Sequence, residues 1–184
     1  MRSVADILRF VEGHSHIVRL LNGIDTVTLP DCWIGAGLIR NAVWDVLHGI
    51  CSGAILDADV DVVYFDSADT REYRDAAIEA WLIERMPETS WSVHNQARMH
   101  VRNGDSPYLD LEDAMRCWPE TATAIASRMR EGRVELLAPF GIDDLVNLIV
   151  RPTPTFALKI DAYRDRILAK NWKARWPRLT IVGI

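Results

Sequence analysis

The feature that most constrains the fold is an alternation, in the first half of the chain, of short apolar runs with longer segments of helical spacing. Apolar residues recur at intervals of three and four in "LIRNAVWDVLHG" and "DTREYRDAAIEAWLIERMP", as on one face of a helix. The shorter runs around them have the composition or alternation of strands. These runs are "DCWIGAG", "DVDVVYFD" and "WSVHNQARMHV". The pattern predicts strands and helices in turn, packed around one core.

The second half of the chain has mostly helical spacing. Pro119 and Gly132 are placed as at the two ends of a helix, so the segment between them is predicted to be helical. "DLEDAMRCW", "IDDLVNLIV" and "KIDAYRDRILAKNW" are further predicted helices, and "VELLAP" is a possible strand. The predicted fold class is α+β, with a small mixed sheet flanked by helices and a helical C-terminal part. We expect a single domain over residues 1–184, with a core of about 24–105 and a C-terminal part of about 106–184.

Composition and charge narrow the classes of partner. The 184 residues carry a net charge of −5, which argues against a general nucleic-acid binder, so we do not expect a long nucleic acid as partner. The segment Lys159–Arg178 nevertheless has seven basic and two acidic residues, which suits a small phosphorylated ligand. Three widely spaced cysteines indicate neither a disulfide framework nor a zinc ribbon. No apolar run approaches ~18 residues, so we expect no membrane partner and a cytoplasmic location.

Two acids occupy alternate positions at the start of the strand "DVDVVYFD". Asp59 and Asp61 leave the same face of a strand, roughly 7 Å apart along the backbone. Two converging carboxylates repel each other unless a cation lies between them, and Mg²⁺ is commonly held by one or two carboxylates plus substrate phosphates. Asp57 stands at the same alternate spacing as Asp59 and Asp61 but is expected in the preceding loop. Asp66 is expected to cap the turn after the strand. The alternative is that acids at the end of a strand keep it soluble.

A glycine-containing turn precedes this strand in the sequence. Gly35 and Gly37 flank Ala36 between a predicted strand and a predicted helix, where the backbone could approach a ligand closely. The helix N-terminus would offer free N–H groups to a phosphate, and Arg40 could add a charge-assisted contact one turn later. A tight strand-to-helix turn without a ligand is the alternative interpretation.

In this order and separation, the two elements resemble the DNA polymerase beta-type nucleotidyltransferase superfamily. "GAGLIRNAVWDVLHG" followed by "DVDVVYF" is similar to the head of tRNA nucleotidyltransferases and poly(A) polymerases, where a Gly-Gly-x-x-Arg-Asp turn precedes an Asp-x-Asp strand. Here Ala36 interrupts the glycine pair, and Asn41 stands where Asp is common. "NQARMH", "LAPFGIDDL" and "KNWKARWP" also resemble a small bacterial nucleotidyltransferase-like family, and this resemblance covers about residues 29–182.

The resemblance implies a polymerase beta-like core and a Mg²⁺-dependent reaction, with Mn²⁺ as a substitute metal. A nucleoside monophosphate would pass from a nucleoside triphosphate such as ATP to the hydroxyl of an acceptor, which the resemblance does not identify. It makes Asp59 and Asp61 metal ligands and catalytic residues. The residues expected to bind the nucleotide are Gly35, Ala36, Gly37, Arg40 and Arg98.

One position departs from the superfamily pattern. Active members usually have a third carboxylate on the neighbouring strand, whereas "WSVHNQARMHV" contains no acid. Asn95, with Gln96 beside it, is expected at that position, and Asn95 is therefore predicted to be a catalytic residue. An amide, however, cannot act as a base. Either His94 or His100 supplies the base, or a weaker second metal site suffices. If neither holds, the chain is a non-catalytic nucleotide-binding or antitoxin-like protein-interaction module.

A basic stripe lies near the C-terminal end of the chain. Arg166, Lys170 and Lys173 follow one another at intervals of four and three, opposite the apolar face of a predicted helix. The stripe is either a solvated helix face or a surface that contacts a triphosphate or an acceptor.

Overall fold

The computed structural model describes residues 1–50 and 59–184, so Cys51 and Asp57 lie outside the described residues. Within these ranges the chain forms ten α-helices and seven β-strands. The helices are α1 (Val4–Gly13), α2 (Ser15–Asp25), α3 (Gly37–His48), α4 (Glu72–Arg85), α5 (Met99–Asn103), α6 (Leu111–Arg116), α7 (Asp143–Val146), α8 (Pro154–Ala157), α9 (Ile160–Lys170) and α10 (Trp172–Arg175). The strands are β1 (Trp33–Gly35), β2 (Val60–Tyr64), β3 (Trp91–Asn95), β4 (Ala126–Arg130), β5 (Arg133–Leu137), β6 (Ile149–Val150) and β7 (Thr180–Ile181).

The main sheet has five strands in the order β3-β2-β1-β4-β5. β2 and β3 are parallel and are joined through α4, whereas the other neighbouring pairs are antiparallel. A separate two-stranded parallel sheet pairs β6 with β7. The α+β class with a mixed sheet flanked by helices is therefore confirmed.

The second half of the chain contributes two strands to this sheet. The helix predicted between Pro119 and Gly132 is wrong, because β4 pairs with both β1 and β5 there. Glu131 and Gly132 have φ angles of 50° and 74°, so they form a tight hairpin turn rather than a helix end. The regions predicted as core and as C-terminal part thus share one sheet.

The strand predicted over "WSVHNQARMHV" is confirmed as far as Asn95 and is wrong beyond it. A 3₁₀ turn follows over Gln96–Arg98, and α5 begins at Met99. The Asn95 side-chain oxygen accepts a hydrogen bond from the Ala97 N–H at 3.1 Å, which caps the turn. This local bond competes with strand pairing and ends β3.

The two faces of the main sheet are covered differently. One face carries Ile34, Val62 and Val93 and packs into the main core with the N-terminal helices. The opposite face carries Trp33 and Val63, which pack against α6 in a smaller cluster. Because this cluster covers only part of the second face, the face stays open beside the start of β2, where Asp61 lies. In the described ranges, no helix is long and apolar enough to cross a membrane.

The C-terminal helices are anchored to α3 by buried contacts. Trp44 meets the Trp172 and Trp176 rings edge-on, with centroid distances of 5.5 and 5.1 Å. Asp45, which is only 1% exposed, accepts hydrogen bonds from Arg175 and from Trp176 Nε1. These contacts fix α9 and α10 beside the open part of the sheet.

Candidate active site

A cleft of about 280 Å³ opens on the second face of the main sheet, next to the N-terminus of α3. Its walls bring together the turn before α3, the start of β2, the end of β3 and the helix α9. Its lining combines apolar residues, among them Val63 and Trp118, with polar and charged ones. The polar and charged residues include Asp61, His94, Arg102, Thr123 and Arg166.

Asp61 is the carboxylate that lines this cleft. Burial raises the pKa of the Asp61 carboxyl, and the negative charge of Asp59 adds to the rise, while His94, Arg40 and Lys170 oppose it. Asp59 is exposed, lies outside the cleft lining, and accepts a hydrogen bond from Ser90 Oγ at 2.7 Å. The Asp61 carboxylate, whose charge is disfavoured by burial, gains from a bound cation.

The turn between β1 and α3 is folded tightly against the cleft. Ala36 has φ 48° and ψ −108°, a backbone conformation that a residue with a Cβ rarely adopts. Its N–H donates to the Ile125 carbonyl at 2.8 Å. A Cβ at Gly35 would lie 2.7 Å from the Trp118 ring, so only glycine fits there. The N-cap residue Ala36 has no side chain that could cap α3, and the first N–H groups of this helix lie beside Ala36 in the cleft wall.

Arg40 is buried under the cleft rather than exposed to it, since only 6% of the residue is accessible. Nη1 donates to Thr123 Oγ1 at 2.8 Å, and Nε and Nη2 donate to Asn41 Oδ1. Burial lowers the pKa of Arg40 to about 10, still well above neutral pH. Arg40 forms no direct salt bridge with any described residue, and the negative charges of Glu120 and Asp61 act on its guanidinium from a distance.

Two further arginines face the cleft from its other walls. Arg166 on α9 donates from Nε to Glu120 Oε1 at 2.6 Å, and Glu120 is fully buried. The structure thus places one member of the basic stripe at the cleft, whereas Lys173 is exposed. Arg102 on α5 also lines the cleft and was missed by sequence reasoning. Its short helix gives no periodicity that could have indicated its direction.

β3 brings His94, not Asn95, to the cleft. In the parallel register Ser92 lies beside Asp61 and His94 beside Val63, so these residues share one face of the sheet. His94 Nε2 lies 3.0 Å from Ser92 Oγ. The alternation along β3 could have selected His94, because Asn95 shares the parity of the buried Val93.

Asn95 is fully buried on the other face and holds the loop after β2. Its Nδ2 donates to the Asp66 and Asp69 carbonyls at 2.8 and 2.9 Å. Its Oδ1 accepts from the Asp66 and Ala97 N–H groups. With both side-chain atoms engaged by backbone, Asn95 has a structural position apart from the cleft, and the structure does not bring it to Asp61.

Arg98 also lies away from the cleft. It pairs with Asp75 on α4, a buried carboxylate that also accepts from Tyr64 Oη and the Asn95 N–H. The nucleotide contact expected for Arg98 would require this network to open.

The two acids that follow β3 in the sequence, and His100, are engaged elsewhere. Asp105 pairs with Lys159 Nζ at 2.6 Å, and Asp110 caps the N-terminus of α6. His100 Nδ1 lies 2.9 Å from the Ala97 carbonyl, outside the cleft lining.

The donor set fits one hard divalent cation rather than a closed metal site. Among the described residues there is no group of three or more His, Cys, Asp or Glu side chains that could hold a metal. Asp59 and Asp61 supply two carboxylates, and Mg²⁺ usually completes its shell with water and substrate phosphates. The residues present therefore fit an Mg²⁺ ion that arrives with a phosphate ligand.

Comparison with solved structures relates this geometry to known proteins. An NMR structure described as revealing a CCA-adding enzyme head domain is 31% identical, with a TM-score of 0.86 over 98% of this chain and 96% of that one. A CCA-adding enzyme in complex with CTP is 18% identical, with a TM-score of 0.58. The Thermotoga maritima CCA-adding enzyme complexed with tRNA is also 18% identical, with a TM-score of 0.56. Both alignments cover 98% of this chain but only 43% and 42% of those enzymes.

Sequence comparison identifies the family. No curated protein gave a match. A family model described as nucleotidyltransferase matches residues 22–181, which include the cleft and the basic helix α9. The chain therefore belongs to this nucleotidyltransferase family.

Proposed function

We propose that the protein transfers a nucleoside monophosphate from a nucleoside triphosphate to an acceptor hydroxyl, with Mg²⁺ as the metal. The observation that carries this proposal is the position of Asp61. It lies in a cleft beside the N-terminus of α3 whose lining also includes Arg102 and Arg166, and the positive charge of buried Arg40 acts on its carboxylate. An acid pair in a basic surrounding suits a metal–polyphosphate complex, which needs carboxylates for the cation and cations for the phosphates.

The triphosphate would lie against the wall formed by Ala36. Free N–H groups of the first turn of α3 would donate to phosphate oxygens. Arg166 would reach the same phosphates from α9, and Arg40 would favour their charge from below. Trp118, whose ring packs over Gly35, would give the nucleoside an apolar surface.

Asp59 and Asp61 would hold the metal ion at the α-phosphate. Bound there, Mg²⁺ neutralises developing charge and aligns the attacking and leaving oxygens. The acceptor oxygen forms a bond to the α-phosphorus, the bond from that phosphorus to the bridging oxygen breaks, and pyrophosphate leaves. His94 is the cleft residue that could take the proton of the attacking hydroxyl.

An RNA 3′ hydroxyl belongs among the acceptors to be tested. The expectation that a long nucleic acid is no partner has no support from the comparisons, because one similar structure is an enzyme complexed with tRNA. Lys170 and Lys173 on the α9–α10 edge are exposed and could contact an acceptor phosphate. Small molecules and protein side chains are the other acceptor classes.

Binding measurements test the first half of the proposal. Each of the four nucleoside triphosphates is titrated into wild type with and without Mg²⁺, and into a protein carrying both Asp59→Asn and Asp61→Asn. We expect wild type to bind at least one triphosphate in a Mg²⁺-dependent manner and the variant to lose that dependence. Identical binding by both proteins would refute the assignment of the acid pair.

A second candidate function is nucleotide binding without catalysis. It is favoured by one observation, namely that Asp61 is the single carboxylate lining the cleft within the described ranges. Such a module would bind triphosphate and Mg²⁺ as above but release no pyrophosphate with any acceptor. Pyrophosphate release that depends on Asp61 excludes this second function.

A further inference from the structure

Trp172 stands at the centre of the cation cluster beneath the cleft. It is 7% exposed and begins α10 directly after Asn171, whose φ of 43° turns the chain sharply at the end of α9. The Arg40 guanidinium carbon lies 4.4 Å from the Trp172 ring centroid, and that of Arg166 lies 5.8 Å from it. One indole ring therefore contacts both arginines.

The like charges of Arg40 and Arg166 repel each other where little water screens them. The charge of Arg166 contributes to the lowering of the Arg40 pKa, while Glu120 and Asp61 oppose it. Glu120 bonds directly to Arg166 but to no other described arginine. An aromatic face attracts a guanidinium through its quadrupole, so Trp172 can hold both cations without adding a negative charge that would repel phosphate.

We propose that Trp172 is a positioning residue, which holds Arg40 and Arg166 in the arrangement that favours a triphosphate over a monophosphate. The inference rests on the proposed function. Two fixed positive charges, Arg166 in the cleft wall and Arg40 beneath it, favour the higher negative charge of a triphosphate more than the lower charge of a monophosphate. Without the ring, Arg166 would lose a support opposite Glu120, and the buried guanidinium of Arg40 would lose the nearer of its two aromatic partners and keep only Trp44 at 5.1 Å.

Trp176 provides a matched control within the same cluster. It is 4% exposed, and its ring packs edge-on against Trp44 as the Trp172 ring does. The arginine over its ring is Arg175, which pairs with Asp45 and does not line the cleft. Trp176→Leu should therefore disturb the core as Trp172→Leu does, and Asp45 keeps its bonds from Arg175, but the change removes no ring that lies over a cleft arginine.

The experiment compares Trp172→Leu, Trp172→Phe and Trp176→Leu with wild type. Dissociation constants for a nucleoside triphosphate, the matching monophosphate and inorganic triphosphate are measured with Mg²⁺ by calorimetry. Melting temperatures report the general loss of packing. In the ligand-free proteins, the Nε–Hε NMR signals of Arg40 and Arg166 report whether each guanidinium still lies over an aromatic ring.

We expect Trp172→Leu to weaken binding of both triphosphates about tenfold and that of the monophosphate less than about twofold, as for loss of a cation–π contact. Trp172→Phe should stay within about threefold of wild type, because the ring is kept. Trp176→Leu should melt earlier but bind triphosphate as wild type does. In Trp172→Leu alone, the Arg166 signal should lose its ring-current shift, and the Arg40 signal should keep only the part that comes from Trp44, whose ring centroid lies 5.1 Å from the Arg40 guanidinium carbon.

Three outcomes would overturn the inference. They are unchanged triphosphate binding by Trp172→Leu, an equal loss in Trp176→Leu, and arginine signals that Trp172→Leu leaves unmoved. Failure of the proposed function would give a different result, because wild type itself would then bind no triphosphate. That result would also refute a positioning role of Trp172 toward this ligand.

Discussion

Replacing Ala36 with glycine tests the backbone of the turn that forms one wall of the cleft. Ala36 has φ 48° and ψ −108°, and a residue held in such a region costs on the order of 1–3 kcal/mol. Glycine adopts this conformation without the cost but loses about 0.5–1 kcal/mol more conformational entropy on folding. The balance predicts that Ala36→Gly raises the free energy of unfolding by about 1 kcal/mol.

Urea unfolding followed by tryptophan fluorescence measures this change. With a slope of about 2 kcal/mol per molar urea, the midpoint should rise by about 0.5 M. The melting temperature should rise by about 2–4 °C. Ala80 is an exposed residue inside α4, so Ala80→Gly provides a control in ordinary helix and should lower stability by about 1 kcal/mol. If Ala36→Gly lowers stability as the control does, the reasoning about this turn is refuted.

Three further predictions concern residues outside the cleft and the thiol before it. Asn95→Ala should lower the free energy of unfolding by about 2–4 kcal/mol, because four bonds to backbone are lost, yet leave triphosphate affinity within about twofold in calorimetry. Arg98→Met should lower the free energy of unfolding by about 2–3 kcal/mol in urea unfolding, since Asp75 stays buried without its cation. A large loss of nucleotide affinity instead would indicate that Arg98 binds the nucleotide. Burial raises the pKa of the Cys32 thiol to about 12, so alkylation of Cys32 by iodoacetamide, followed by peptide mass spectrometry, should keep accelerating up to pH 11 in native protein. A plateau near pH 9 would contradict that assignment.

The first half of the fold was predictable because each element there carries its own signal. Local periodicity and stop residues indicate the strand before Gly35, the helix α3 and the helix α4. The hairpin of β4 and β5 was not, since its stability comes from pairing with β1, a partner about ninety residues earlier. Pro119 and Gly132 suit a hairpin as well as a helix, and local propensity cannot choose between them.

Sequence patterns predicted the site residues that belong to short local motifs. Asp59 and Asp61 form one such motif and the turn around Ala36 forms another, and the structure places Asp61 and Ala36 in one cleft. Arg166 reaches the cleft through tertiary packing of α9, which no spacing along the chain reveals. Asn95 was predicted to be a site residue from its position in the sequence. The alternation of side chains along β3 places it on the opposite face of the sheet from Asp61.

Transfer of label from the α-phosphate of a nucleoside triphosphate tests the central claim most directly. Wild type and Asp61→Asn are incubated with each α-labelled triphosphate, Mg²⁺ and one acceptor class at a time, including RNA, small molecules and proteins from a cell extract. The account predicts label on one acceptor class, release of pyrophosphate in equal amount, and loss of both with Asp61→Asn or with a chelator of Mg²⁺. Transfer of label that persists in Asp61→Asn would contradict it.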